Sequence, residues 1–236
     1  ASTAGTGEEE ERVDQLDMVF SLTNMRTLVE FARLPVPADH PAKVIGDGNN
    51  LYVLDDGDGV VYRRGLAPEE LSRVISKNDQ IDGQTVGDIV DIALGSQFLF
   101  VLDGNKMLFL YDLAEGALRS LALADREKWD LPRDMETYSD NLYLLGALPN
   151  QVLRYTNGNF DQPPTNWVSP LTTVDVSGAI DIAIDGDIFA LLAQGDILRL
   201  SQGKVQPFTL NGLDRPMLRP AAIYTDEETS HQYVVE

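Results

Sequence analysis

The 236-residue sequence predicts an all-β fold built from repeated four-stranded units. An aromatic residue recurs within a short apolar run at intervals of 43 to 48 residues: Tyr52, Phe100, Tyr143, Phe189 and Tyr233. Further short apolar runs lie before and after each of these, and clusters of Asp, Asn and Gly separate them, as tight hairpins require. Repeats of this length with several strands each are typical of propeller blades. We therefore predict a β-propeller of four-stranded antiparallel blades.

The amino-terminal part of the chain has a different pattern. Residues 1–24 read as an acidic tail followed by a short helix, because Val13, Leu16 and Phe20 share one helical face. The run from Met25 to Phe31 reads as a strand that ends before Pro35. We expect this strand to contribute to the last blade and to help close the ring.

The propeller is expected to occupy residues 25–236. Its blades are predicted at about 42–76, 88–123, 135–168, 174–210 and 218–236, the last one incomplete. This makes about four and a half blades, which favours part of a six-bladed ring. A bare strand edge promotes aggregation, so we expect a protein partner or a further segment to complete the last blade.

Composition restricts the partners. The net charge is −20 and cysteine is absent, so disulfides and thiolate metal sites are excluded. A polyanion repels phosphate groups, which makes nucleic acid and anionic membranes poor partners. The acidic surface serves solubility, or it attracts cations or a basic partner. No apolar run reaches the roughly 18 residues of a membrane span.

Catalytic motifs are not recognisable in the sequence. The two histidines, His40 and His231, have no partners at the spacing of a triad or a metal site. The loop Asp55-Asp56-Gly57-Asp58 is rich in oxygen ligands, which makes Asp55, Asp56 and Asp58 calcium candidates. The loop lies where the other units have a hairpin turn, and turn chemistry alone explains its residue types. We therefore favour a turn and expect no cofactor.

Arginine recurs at one position of the third strand, as Arg63, Arg154 and Arg199. A ring of anion-binding cations and a set of structural arginines are both consistent with this pattern, and the acidic composition favours the structural role. The candidate partner-binding residues are Trp129, Trp167 and Tyr233, because exposed aromatic residues are frequent at binding hot spots. For the two tryptophans, anchoring of a loop to the core is the favoured alternative.

The segments Pro163 to Leu213 and Val86 to Tyr111 resemble the propeller regions at the carboxyl end of some bacterial membrane-anchored proteins. These include proteins of green non-sulfur bacteria that carry an amino-terminal PP2C-type phosphatase domain. The resemblance implies a non-enzymatic, extracytoplasmic propeller with a role in sensing or assembly. No phosphatase motif is present, so that activity is not implied for this chain.

These observations predict a non-catalytic, extracytoplasmic interaction or sensing module that binds a protein or a ligand. One alternative is a propeller enzyme with a central metal or quinone site, for which Asp91, Glu136 and Asp181 are the acids placed near the axis. A second alternative is a coat or filament subunit whose strand edges join neighbouring chains.

Overall fold

The computed structural model describes residues 41–65, 71–170, 174–209, 215–225 and 232–236. Over these ranges the chain is a β-propeller with four complete four-stranded antiparallel blades and a fifth represented by two strands. This confirms the predicted fold class. The acidic tail, the short helix, the strand at 25–31 and both histidines lie outside the described residues.

In all four complete blades each strand pairs with the next in sequence. Blade one consists of β1 (Pro41–Gly46), β2 (Asn50–Asp55), β3 (Val60–Gly65) and β4 (Ser72–Ser76). A small hairpin, β5 (Gln80–Ile81) and β6 (Gln84–Thr85), follows before blade two begins. Blade two consists of β7 (Ile89–Leu94), β8 (Phe98–Asp103), β9 (Met107–Asp112) and β10 (Leu118–Ala122).

A 3₁₀ turn, Arg126–Lys128, leads from blade two into blade three. Blade three consists of β11 (Asp134–Tyr138), β12 (Asn141–Leu145), β13 (Val152–Tyr155) and the short outer strand β14 (Thr165–Asn166). Blade four consists of β15 (Ala179–Ile184), β16 (Ile188–Leu192), β17 (Ile197–Ser201) and β18 (Lys204–Gln206). The two strands of blade five are β19 (Ala222–Tyr224) and β20 (Tyr233–Val235).

The repeating aromatic residue occupies the same register position in every blade. It lies on the second strand and pairs with one residue of the innermost strand, as in the pairs Ile45–Tyr52, Ala93–Phe100, Glu136–Tyr143, Ala183–Phe189 and Tyr224–Tyr233. The first four aromatic side chains are buried, whereas that of Tyr233 is 47% exposed. The sequence repeat is therefore a structural repeat.

The core consists of apolar layers between successive blades. Blades two and three share the cluster that contains Leu108, Leu142 and Leu144, while similar clusters lie between the other neighbouring blades. The second and third strands are apolar on both faces because each blade packs on two neighbours. This explains the continuous apolar runs in the sequence.

A close backbone contact joins blade four to the connection that precedes it. Gly203 has a φ of +75°, and a Cβ there would lie 2.2 Å from the carbonyl oxygen of Trp167. The carbonyl of Gly203 also accepts a hydrogen bond from the N–H of Ser169. Only glycine permits both the left-handed conformation and this approach. Within the described ranges, no helix is long and apolar enough to cross a membrane.

Replacement of a core leucine tests the packing between blades. Leu144 is fully buried between blades two and three, whereas Leu218 is 71% exposed. We expect Leu144→Ala to lower the free energy of unfolding by about 2–5 kcal/mol, because it removes apolar contacts and leaves a cavity. The matched change Leu218→Ala is expected to alter it by less than about 0.5 kcal/mol. Urea unfolding measures both, and equal effects would contradict this packing.

Candidate functional site

The innermost strands of the four complete blades bring one polar residue each to the propeller axis. Lys43, Asp91, Asp134 and Asp181 pair with Leu54, Leu102, Leu145 and Leu191 of the adjacent strands, so they hold the same register position. The other residues of these strands are largely apolar, except that β11 also carries Glu136 and Thr137. Four polar side chains therefore converge where a propeller has its central channel.

The three aspartates connect neighbouring blades through their carboxyl groups. The backbone N–H of Met135 donates to Asp91 Oδ2 at 2.6 Å, and that of Ile182 donates to Asp134 Oδ2 at 3.0 Å. The N–H of Ile223 donates to Asp181 Oδ2 at 2.7 Å. Each carboxyl group thus satisfies a backbone donor on the innermost strand of the following blade. A buried backbone N–H without a partner is costly, so these bonds fix the blades at the axis.

Blade one departs from this pattern, because its equivalent residue is a lysine. Lys43 Nζ lies 2.8 Å from Asp134 Oδ1, 3.2 Å from Asp91 Oδ1 and 3.1 Å from Glu136 Oε1. It also donates to the carbonyl oxygen of Met135 at 3.0 Å. We call Lys43, Asp91, Asp134, Glu136 and Asp181 the axial cluster.

Lys43 and Asp134 are the ion pair at the centre of this cluster. Burial opposes the charge of Lys43, but the carboxylates of Asp134, Glu136 and Asp91 outweigh it and raise the lysine pKa well above its usual value. Burial also disfavours the charged form of Asp134. The ammonium of Lys43 and the donors around the carboxylate prevail and lower the pKa of Asp134.

The other acids of the axial cluster hold protons more strongly than free carboxyl groups. Burial raises the pKa of Asp91 well above its usual value, in spite of Lys43. Burial and the nearby Asp134 carboxylate raise the pKa of Asp181 to about 9. Burial raises the pKa of Glu136 to about 7. With a pKa of about 9, Asp181 is protonated at neutral pH, and it shares a hydrogen bond with Asp134.

A cavity of about 850 Å³ lies next to the axial cluster, at the end of the propeller where the first strand of each blade turns into the second. Glu136 is the member of the cluster that lines it. Apolar side chains of the innermost strands form its walls: Val44, Ile45, Leu94, Ile184 and Ile223. Hydroxyl groups and a second carboxyl group lie along its rim: Ser96, Thr137, Ser139 and Asp140.

Side-chain bonds between blades two and three brace the rim of the cavity. The N–H and Oγ of Ser96 donate to the two carboxylate oxygens of Asp140, each at 2.7 Å. The hydroxyl of Thr137 donates to the carbonyl oxygen of Leu94. This part of the cavity wall is thereby fixed before any ligand binds.

The calcium candidates lie away from the cavity, in the turn between β2 and β3. Asp55 is buried and its Oδ1 accepts the N–H of Asp58 at 3.1 Å, while Asp56 and Asp58 are exposed. Asp103 occupies the corresponding position in blade two and closes its hairpin by accepting the N–H groups of Asn105 and Met107. No group of three or more His, Cys, Asp or Glu side chains suited to a metal ion occurs in the described part of the chain. The geometry of Asp55 is that of a turn residue.

The three aromatic candidates have different surroundings. Trp129 is only 2% exposed, and its indole N–H donates to the hydroxyl of Tyr155 at 3.1 Å. Trp167 is half-buried, with its ring against Tyr143 at a centroid distance of 5.7 Å. Tyr233 is exposed and lies 6.3 Å from the ring of Tyr224. The structure therefore places Trp129 as an anchor, and leaves Tyr233 the most accessible of the three.

The recurring arginines bond within their own blades. Arg63 Nε donates to Asn50 Oδ1 at 2.8 Å, and Arg199 pairs with Asp187 at 2.6 Å. The guanidinium of Arg154 lies 5.1 Å from the centre of the Trp167 ring. These contacts are those of structural arginines packed along the blade.

The acids proposed from sequence as axial, Asp91, Glu136 and Asp181, all belong to the axial cluster. Sequence reasoning missed Lys43 and Asp134. Both could have been found, because a polar residue stands eight or nine positions before each of the first four repeating aromatics. This position is a lysine in blade one and an aspartate in blades two, three and four.

The chain matches no protein-family model and is similar to no curated protein. Solved structures do resemble it. A chain of a nidogen/laminin complex matches with a TM-score of 0.57 and 17% identity over 81% of this chain and 71% of that one. Streptogramin B lyase matches at 0.54 and 15% identity, over 82% and 61%. A Bacteroides thetaiotaomicron protein of unknown function matches at 0.55 and 16% identity, over 82% and 55%. The chain thus spans less than two thirds of the last two, and all three likenesses show the β-propeller fold alone.

Removal of the central cation tests the axial cluster. We expect Lys43→Met to lower the free energy of unfolding at pH 8 by about 3–5 kcal/mol, because the Asp134 carboxylate stays buried without its partner. This decrease in the free energy of unfolding should be smaller at pH 5, because the buried carboxyl groups of the folded variant can then take up protons. Lys128→Met removes an exposed lysine that pairs with Asp125, and is expected to change stability far less. Similar losses in the two variants would show that Lys43 has no central role.

The pH dependence of stability tests the protonation of Asp181. An unfolded aspartate loses its proton near pH 4, whereas Asp181 keeps it to about pH 9 in the folded chain. Between these values the folded state binds the additional proton, so its stability is greatest at low pH and is lost as the pH rises through 9.

Asparagine at this position still accepts the N–H of Ile223 and can donate to Asp134. We therefore expect Asp181→Asn to flatten the decline in unfolding free energy between pH 5 and 9 by up to about 1 kcal/mol per pH unit. Asp161→Asn, at an exposed position, should leave the slope unchanged. Urea titrations across this range measure the slopes, and a wild-type slope in Asp181→Asn would refute the assignment.

Proposed function

We propose that this chain is a non-catalytic binding module and that it binds a partner, a protein segment or a small ligand, in the axial cavity. The observation that carries the proposal is the cavity itself. Its volume of about 850 Å³ falls within the roughly 300–1,000 Å³ of ligand sites, and its walls combine apolar side chains with a few polar groups. Rigid strands and braced turns form these walls, which reduces the entropy lost on binding.

The bonding of the central acids supports a non-catalytic role. A general acid or base must reach the reacting atoms of the substrate. Asp91, Asp134 and Asp181 instead accept backbone N–H groups of neighbouring blades, and none of the three lines the cavity. The hydroxyls of Ser96 and Thr137 are likewise engaged in bonds between blades. These aspartates and hydroxyls therefore hold the propeller together.

The fold is consistent with several roles, so the proposal depends on the site. One chain of the same fold comes from a nidogen/laminin complex and another is a lyase. The former supports a protein partner without identifying one. The resemblance of residues 86–111 and 163–213 to bacterial membrane-anchored propellers supports an extracytoplasmic role in sensing or assembly, which we include in the proposal.

Obstruction of the cavity tests this function. Val44 lines the cavity and is 54% exposed, so Val44→Trp should fill part of the space with little effect on folding. The probes are acetylated pentapeptides Gly-Gly-X-Gly-Gly with acidic, basic, apolar and aromatic residues at X. NMR spectra of the methyl-labelled chain report binding through Ile45, Ile184 and Ile223, which line the cavity.

We expect at least one peptide class to shift these methyl signals in a saturable way in the wild type and not in Val44→Trp. Ala122→Trp places the same side chain at an exposed site on the outer strand of blade two and should leave binding unchanged. Shifts confined to methyl groups outside the cavity, or none with any peptide at about 10 mM, would overturn the proposal.

A further inference from the structure

We propose that the axial cavity selects a cationic group, the ammonium of a lysine or the guanidinium of an arginine on a basic protein segment, with Glu136 as its counter-ion. This inference rests on the binding function proposed above and adds the chemistry of the partner. It assigns Glu136 a role in recognition that is distinct from the structural role of the three aspartates.

The charged residues that the structure describes in the cavity wall are acidic. Glu136 and Asp140 are the two charged residues among the described residues that line it. Both oxygens of Asp140 already accept hydrogen bonds from Ser96. The side chain of Glu136 is 27% exposed, and its Oε1 lies 3.1 Å from Lys43 Nζ. Glu136 is therefore the carboxyl group that a ligand in the cavity can reach.

Lys43 does not neutralise all the acids around it. Among the described residues its ammonium lies near oxygens of Asp91, Asp134, Glu136 and the Met135 backbone, and Lys43 does not line the cavity. Its one positive charge balances the ionised Asp134. When Glu136 also ionises, the axial cluster carries excess negative charge, which a second cation on the cavity side can compensate.

The apolar walls suit the aliphatic part of a basic side chain. Val44, Ile45, Ile184 and Ile223 can contact the methylene groups of lysine or arginine while the charged end approaches Glu136. The aromatic residues Tyr138 and Tyr224 also line the cavity, and aromatic faces attract cations. A neutral apolar side chain would gain the first set of contacts but not the charge interaction.

The whole-chain charge favours the same class of partner. A net charge of −20 attracts basic segments and repels acidic ones over distances comparable to the Debye length. This long-range attraction speeds encounter, whereas discrimination at the cavity depends on Glu136.

Binding should depend on pH through Glu136. A bound cation favours the ionised form of Glu136, whose pKa in the free chain is about 7, so affinity should rise as the pH increases through this value. Burial raises the pKa of Asp91 above its usual value and that of Asp181 to about 9, so Asp181 keeps its proton near neutral pH. Lys43 and Asp134 stay charged throughout the same range.

The tyrosine opposite Glu136 on the adjacent strand does not change charge between pH 6 and 8. Tyr143, which pairs with Glu136 across the sheet, has a pKa raised by burial above its ordinary value near 10. Asp140, hydrogen-bonded to Ser96, is the remaining acid on the rim.

The test compares two acetylated pentapeptides, Gly-Gly-Lys-Gly-Gly and its norleucine counterpart, which has a similar aliphatic chain without the charge. We expect the lysine peptide to shift the methyl signals of Ile45, Ile184 and Ile223 with at least about tenfold higher affinity than the norleucine peptide at pH 8. Its affinity should fall roughly five- to tenfold between pH 8 and pH 6.

Glu136→Gln keeps the size of the side chain and removes its charge. We expect it to abolish both the preference for lysine and the pH dependence, while binding of the norleucine peptide remains. Glu115→Gln makes the same change at an exposed turn of blade two and should alter neither.

The outcomes separate this inference from the binding function itself. If both peptides shift the cavity signals equally, or if Glu136→Gln keeps the lysine preference, cation selection is wrong and the binding function stands. If no peptide of any class reaches the cavity, both proposals are overturned.

Discussion

A carboxyl group that accepts a backbone N–H of the next blade is the contact on which the centre of this propeller depends. It occurs three times in succession, from Asp91, Asp134 and Asp181 to the innermost strands that follow. Innermost strands leave backbone donors facing the axis, where neither a further strand nor bulk water satisfies them. The aspartates supply the missing acceptors and at the same time set the spacing between blades.

Three carboxyl groups at one height would repel one another if all were ionised. The chain resolves this by two means. Lys43 replaces the acid in blade one and pairs with Asp134, while burial raises the pKa of Asp91 and keeps Asp181 protonated near neutral pH. A protonated carboxyl group can still accept a backbone N–H, so the bonds between blades are retained without accumulated charge.

The cavity follows from the same arrangement. The axial cluster fills the channel at one level, and the strands continue beyond it to an open end walled by Val44, Leu94 and Ile184. Glu136 stands two residues after Asp134 on one strand, so it points to the same side of the sheet but lies on the cavity side of the cluster. Its position between a structural cluster and an open space accounts for its intermediate acidity and for the role that we propose.

The repeated blades could be predicted from the sequence because they depend on local residue patterns. The spacing of the aromatics, the apolar runs between turn residues and the position of Asp55 in a hairpin all depend on contacts within one blade or between adjacent blades. The nearness of Asp91, Glu136 and Asp181 to the axis could be inferred, because they stand at the innermost strands. The hairpin at Gln80 to Thr85 escaped prediction because its strands are only two residues long and carry little periodicity.

Tertiary structure decided what these residues do. The sequence does not show that Asp91 bonds Met135, a residue 44 positions away, or that Lys43 meets acids of two other blades. The protonation of each acid in the axial cluster depends on its burial and on the neighbouring charges. The same two factors distinguish a structural acid from one that a ligand can reach. The sequence by itself determined the architecture, because the spacing of apolar and turn residues within each repeat specifies the blades. The chemistry of the axis depends on contacts between strands that are far apart in the sequence, so only the tertiary structure determines it.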